Sequence, residues 1–185
     1  MINLLKKHAR SFYWASFFLP KIVIKKSTSL YNFCRTIDDI ADESNELKIK
    51  KEKFLRFKKD FLEKNKENSI ISEMWSIISS ENISEKIVLD LFDGVESDLQ
   101  TKVNLNSKKD LLLYSYRVAG TVGLMMSKIL HVKDREALKG AIDLGIAMQL
   151  TNIARDVIED KKSNREYIES KFSSIQETIN YSEIF

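Results

Sequence analysis

Five glycines and a single proline in 185 residues leave this chain almost none of the punctuation that hairpins and tight strand connections require. Long helices joined by short polar turns are what such a sequence can build, so the expected fold class is all-α. With 43% hydrophobic residues the chain can bury one core, and nothing in its composition asks for a second, so residues 1–185 read as one domain. Its 30 basic and 27 acidic side chains give a net charge of +3, a near balance that argues against electrostatic binding of nucleic acid. Cys34 is the only cysteine, so no internal disulfide forms, and no signal-peptide succession opens the chain. Both point to the cytoplasm. The most apolar stretch, Leu111 to Met126, is interrupted by Tyr114, Ser115, Tyr116 and Arg117 and is too short to span a bilayer.

Helical spacing places His8, Ser11, Phe12 and Ala15 on one face of a first segment over residues 3–18, which Pro20 ends. Ser27, Thr28 and Ser29 offer N-caps to a helix from Leu30 to about Leu47 whose apolar side is Leu30, Phe33, Cys34, Ile37 and Ala41. On its facing side, Tyr31, Arg35, Asp38 and Asp42 fall within an arc of roughly 60°. A Lys-rich outer helix over 48–66 shows one apolar edge of Phe54, Phe57 and Phe61, and its charges read as a solvated face. Two more helices over 68–98 break around Ser79 to Ser84, and Asn104 to Ser107 reads as a turn. A helix from Asp110 to about Leu130 carries Gly120 and Gly123 inside it. Each costs about 1 kcal/mol against alanine, so a neighbouring backbone or a ligand is expected to come close there. A last long helix runs from Arg135 to Asp160, after which apolar periodicity fades.

Two acidic clusters, Asp38-Asp39-Ile40-Ala41-Asp42 and Asp156-Val157-Ile158-Glu159-Asp160, lie in the second and last of these helices. Asp38 and Asp42 stand one turn apart, as do Asp156 and Asp160, so each pair projects from one face. Like charges at that spacing cost about 0.2–0.5 kcal/mol per pair unless a cation lies between them. Two readings are open: ordinary solvent faces, or carboxylate pairs set out for a hard cation. No lysine occurs from Ser27 to Leu47 or from Gly140 to Asp160, where an exposed acidic face would usually carry some. That absence favours the second reading. Mg²⁺ takes one or two protein carboxylates and bridges to phosphate oxygens, so two such helices facing one another could clamp a diphosphate. His8, His131 and Cys34 form no zinc set, and no phosphate-binding glycine loop is present.

The stretch Tyr31 to Glu43, the stretch Gln149 to Asp160 and the stretch Tyr116-Arg117-Val118-Ala119-Gly120-Thr121-Val122-Gly123-Leu124-Met125-Met126 together resemble the three motifs of the squalene and phytoene synthases. The likeness runs from about residue 6 to 167, and the third stretch takes a form similar to bacterial phytoene synthases. What the resemblance implies is the isoprenoid synthase helical bundle around a central cavity. It further implies Mg²⁺-dependent head-to-head condensation of two geranylgeranyl diphosphates to phytoene, in carotenoid biosynthesis, through a cyclopropyl diphosphate. Squalene or dehydrosqualene synthesis from farnesyl diphosphate is the neighbouring alternative, and a non-catalytic assembly protein the more distant one. Asp38, Asp42, Asn152, Asp156 and Asp160 match the metal-ligand positions, for Mg²⁺ or Mn²⁺, with NADPH needed only if squalene is formed. Arg35 and Arg155 match diphosphate partners. Tyr31 and Tyr116 match tyrosines beside the reacting carbons, though aromatic packing would also account for them.

Among the remaining matches, His8, Ser11, Phe12, Asp39 and Gln149 fall at substrate-pocket positions, with packing as the alternative for His8 and Gln149. Phe12, Ala119, Gly120, Val122, Leu124, Met125 and Met148 are either the wall of a prenyl-tail channel or ordinary core. After the second motif the family carries a Gly-Arg, a Tyr and a Leu-Pro turn. Here Arg165 and Tyr167 are kept, while the glycine and proline are not. The family's C-terminal helices are missing from the stretch to Phe185, so three readings are open: a shortened variant, a fragment, or a protomer whose cavity a partner or second protomer completes. Phe17 and Phe18 beside Lys21, Lys25 and Lys26 suggest a peripheral membrane contact.

Overall fold

Pro20 begins a helix in the computed structural model, which describes Trp14 and residues 17–42, 46–105, 107–169 and 171–185. The amide of Ile24 donates to the Pro20 carbonyl at 3.0 Å, and α1 then runs unbroken over Lys21–Asp42. The expected start at Leu30 is therefore corrected. Thr28 sits inside the helix with its hydroxyl on the Ile24 carbonyl at 2.8 Å, and Ser29 donates to Glu73 Oε2 at 2.6 Å. Both hydroxyls are satisfied without capping anything. The expected segment over residues 3–18 lies mostly outside the described residues.

The next elements follow the apolar periodicity. α2 (Leu47–Leu62) buries Phe54, Phe57 and Phe61, the edge that the three-and-four spacing marks out. α3 (Ser69–Ser80) is capped by the Asn68 side chain, which accepts from the Ile71 amide at 3.4 Å, and α4 (Glu85–Asp98) follows a short turn. These helices close on α1 around a phenylalanine cluster. Phe33 meets Phe92 edge-on at 5.8 Å between centroids, and Phe61 stacks on Trp75 at 5.1 Å.

α5 (Lys108–Ser115) starts at Ser107, whose hydroxyl accepts from the Asp110 amide at 3.1 Å. One π-helical turn, Tyr116–Gly120, separates it from α6 (Thr121–Ile129), so the expected single helix is interrupted. α7 (Arg135–Lys162) packs along this whole unit. Backbone comes close at Gly123 and at Gly145, and side chains at Gly120. A Cβ on Gly123 would come within 2.2 Å of the Ala141 carbonyl oxygen, and one on Gly145 within 2.5 Å of the Ala119 carbonyl oxygen. Gly120 meets Ile142 and Tyr116. Of the suggested tail-channel residues, Gly120 and Met125 are buried, Ala119, Val122 and Leu124 half-buried, and Met148 is 48% exposed on α7.

A second core of Leu111, Tyr114, Ile146, Leu150, Ile153 and Tyr167 joins α5, α7 and the chain beyond it. A two-residue parallel ladder pairs β1 (Val103–Asn104) with β2 (Arg165–Glu166), Val103 facing Arg165. Past it, α8 (Phe172–Ser182) packs on α7, in a stretch where the apolar periodicity had faded. No helix among the described residues is long and apolar enough to cross a membrane.

Candidate active site

The C-terminal ends of α1 and α7 meet at one cleft of about 550 Å³. Asp42 from α1 and Asp156, Glu159 and Asp160 from α7 line it, joined by Asp98 from the end of α4. Two carboxylate motifs more than a hundred residues apart are thus brought to a common wall.

Arg165 occupies the space between them. Its Nη1 pairs with Asp42 Oδ1 at 2.8 Å and its Nη2 donates to the Ala41 carbonyl at 3.2 Å. The ladder with Val103 fixes its backbone, which is how a residue just past α7 comes to reach the end of α1. Burial opposes its charge, yet Tyr167, Asp98 and Asp42 around it hold its pKa above the ordinary arginine value.

Behind Arg165 lies a group that the spacing of residues did not bring forward. The Tyr114 hydroxyl donates to Asp98 Oδ2 at 2.8 Å, the Tyr167 hydroxyl donates to Asp98 Oδ1 at 2.7 Å, and the two hydroxyls are 3.0 Å apart. The rings stack at 4.8 Å between centroids. Burial pushes the Asp98 carboxyl up to about 6, against the two tyrosine hydrogen bonds and Arg165, which lower it. Each tyrosine carries one proton, so with Asp98 ionised only two of the three contacts can be donated. Protonating Asp98 supplies the third. Burial first, then Asp98, raises Tyr114 well above the usual phenol range, and Tyr167 is raised by the same two causes.

The first motif lies along α1, approaching the cleft. Arg35 pairs with Asp39 Oδ1 at 2.6 Å and Asp38 Oδ2 at 3.3 Å. Although the Asp38 side chain is 56% exposed, partial desolvation raises its pKa; Asp42 adds to the effect and Arg35 opposes it. Tyr31, one turn further back, is raised by burial, with Arg35 opposing. On α7, Arg155 grips the carboxylate of Asp156 through two nitrogens at 2.7 and 2.6 Å, and these hydrogen bonds hold Asp156 below the usual range. Asp160 goes the other way, raised by desolvation and by Asp156, Glu159 and Asp42 while Arg165 opposes.

Of the residues singled out in the sequence, Asp42, Asp156 and Asp160 line the cleft itself. Asp38, Asp39 and Arg35 stand further back on α1, and the half-buried Gln149 and Asn152 further back on α7, outside its lining. Tyr116 donates to Asp90 Oδ2 at 3.3 Å, a residue that also pairs with Lys86 and is not part of the cleft. His8, Ser11 and Phe12 lie outside the described residues. Among the described residues no three carboxylate, histidine or cysteine side chains converge closely enough to hold an ion as they stand. The donors are all hard oxygens, which suits Mg²⁺ and not a thiolate-loving metal.

Comparison with known proteins agrees with this architecture. Residues 5–170 match the model of the squalene/phytoene synthase family. A phytoene synthase from Cereibacter sphaeroides is 33% identical over 177 residues, covering 90% of this chain and 50% of that protein. A phytoene synthase from Pseudescherichia vulneris is 32% identical over 155 residues, covering 77% and 50%. The chain therefore spans about half the length of the curated relatives it matches. A crystal structure of a dehydrosqualene synthase in complex with ligand superposes with a TM-score of 0.80 at 28% identity over 99% of this chain and 72% of that one. A squalene synthase from Alicyclobacillus acidocaldarius, at 19% identity and a TM-score of 0.80, shares the fold. With both acidic motifs at one cleft and the match running through nearly the whole chain, the protein belongs to the squalene/phytoene synthase family and has its all-α fold.

Proposed function

We propose that this cleft binds the diphosphate of a prenyl diphosphate and that the chain carries the head-to-head condensation of two geranylgeranyl diphosphates to phytoene. The observation that supports this most is the meeting of Asp42, Asp156 and Asp160 at one wall, together with Arg165. Asp38, Asp42, Asn152, Asp156 and Asp160 would hold Mg²⁺, or Mn²⁺, whose charge would stabilise the departing diphosphate. The chain's own cations act on the same group. Arg155 and Arg35, held by Asp156 and Asp39 about two turns before the ends of α7 and α1, can exchange those carboxylates for phosphate oxygens. The Asp98, Tyr114 and Tyr167 network buttresses the cleft wall behind Arg165, with burial raising the Asp98 carboxyl to about 6.

Dehydrosqualene or squalene formation from farnesyl diphosphate is the second reading, supported by the 28% identity with the dehydrosqualene synthase over almost the entire chain. Incubation of the purified chain with Mg²⁺ and either C20 or C15 diphosphate, followed by hydrocarbon analysis, separates the two. Phytoene from the C20 substrate, lost on chelation, is the expected result. A folded chain that yields no hydrocarbon from either substrate would overturn the catalytic reading and leave an assembly role. The exposed Phe18, Ile22, Lys21 and Lys25 support a peripheral membrane contact, which flotation with anionic vesicles tests.

A further inference from the structure

We infer that Lys50 is a second cationic arm of the cleft, gripping the substrate diphosphate together with Arg165; this rests on the reading above. Lys50 belongs to the lysine-rich stretch that reads as a solvated face, and the structure takes it out of that face. Lys48 and Lys59 are exposed, whereas Lys50 is half-buried, as Lys51 and Lys58 are, and of these it is Lys50 that lines the cleft. Its Nζ donates to the Ala41 carbonyl oxygen at 3.0 Å. That same oxygen accepts Arg165 Nη2 at 3.2 Å.

Two cations are therefore gathered on one neutral acceptor at the C-terminal end of α1. The helix-end carbonyl accounts for their being held there. It does not neutralise them. Arg165 has Asp42 on its other nitrogen, but Lys50 has no carboxylate within ion-pair distance among the described residues. Because both side chains reach the same acceptor, an oxyanion arriving there can take a hydrogen bond from each. A diphosphate offers several acceptor oxygens on one ligand. The division of labour suits the two side chains: Arg165 is locked by its ladder and by Asp42, while an ammonium on a flexible stem can swing from a carbonyl to an incoming phosphate oxygen.

The test is titration calorimetry of inorganic pyrophosphate with Mg²⁺ against the intact chain, its Lys50→Met variant and its Lys50→Arg variant, with steady-state kinetics beside it. Loss of a charge-assisted hydrogen bond should weaken pyrophosphate binding of Lys50→Met by about tenfold and raise KM more than it lowers kcat, with Lys50→Arg recovering most of the affinity. Pyrophosphate affinity of Lys50→Met within about twofold of the parent would overturn the assignment. So would a fall in thermal stability with affinity unchanged, the signature of a lysine that only caps α1. If the parent chain itself binds no pyrophosphate, the diphosphate reading of the whole cleft falls as well, whereas normal parent binding with an indifferent Lys50→Met removes Lys50 alone.

Discussion

Asp98 adds a pH-dependent contribution to stability, because burial raises its carboxyl to about 6 in the folded chain against 3.8 for a free aspartate. Between those values the folded state keeps a proton that the unfolded chain releases. The stabilising contribution is then complete below about pH 4 and is lost as pH rises through about 6. Urea midpoints measured from pH 4 to 7 should show this decline in the parent chain. Asp98→Asn, which cannot titrate, should flatten it. Tyr167 entered through the family's pattern after the second motif, whereas neither Asp98 nor Tyr114 could be picked out from spacing. Tyr114 and Tyr116 lie roughly 200° apart on a helix, so only one can face the cleft, and both have apolar neighbours that make either face look buried. The motif directed attention to Tyr116, while the packing of Tyr167 against α5 gives Tyr114 the contact with Asp98.

The glycines act at the level of elements, since they decide how closely α7 can approach the α5–α6 unit. Gly123→Ala and Gly145→Ala each drive a methyl into a backbone carbonyl that cannot rotate away. Each should lower stability by about 1–3 kcal/mol or more, read as a fall in the thermal midpoint. Gly140 in the same helix has nothing within 4 Å of its missing methyl, so Gly140→Ala should raise stability by about 1 kcal/mol through helix propensity alone. Helical periodicity delivered α2, α3, α4 and α7 nearly as they stand, because each buries one apolar stripe, the first three against one core and α7 against the other. It failed where a tertiary partner changed the local rule. Ser29 runs inside α1 because Glu73 receives its hydroxyl, and the π-helical turn at Tyr116–Gly120 adds one residue to a helix that periodicity treats as uniform.

For the molecule as a whole, one core gathers α1 to α4 and α6 and the other α5, α7 and the chain beyond, Val118 of the π-helical turn packs against both, and the cleft opens where the ends of α1, α4 and α7 meet. Five carboxylates crowd that opening against Lys50 and Arg165. A ligand set that brings positive charge and phosphate oxygens together should therefore tighten the fold. Mg²⁺ with inorganic pyrophosphate, at concentrations near a hundred times its dissociation constant, should stabilise the chain by about 2.7 kcal/mol, seen as a rise in thermal midpoint that a chelator reverses. No rise at saturating concentrations would count against the diphosphate cleft. The sequence by itself determined the all-α class, the apolar stripes and the two acidic motifs, because each depends on the 3.6-residue repeat or on residues adjacent in the chain. Only the tertiary structure decided what stands between those motifs. Arg165, Asp98, Tyr114 and Lys50 come from four separate segments, and their meeting depends on a two-residue ladder, a buried tyrosine pair and a shared carbonyl, none of which leaves a periodic trace in the chain.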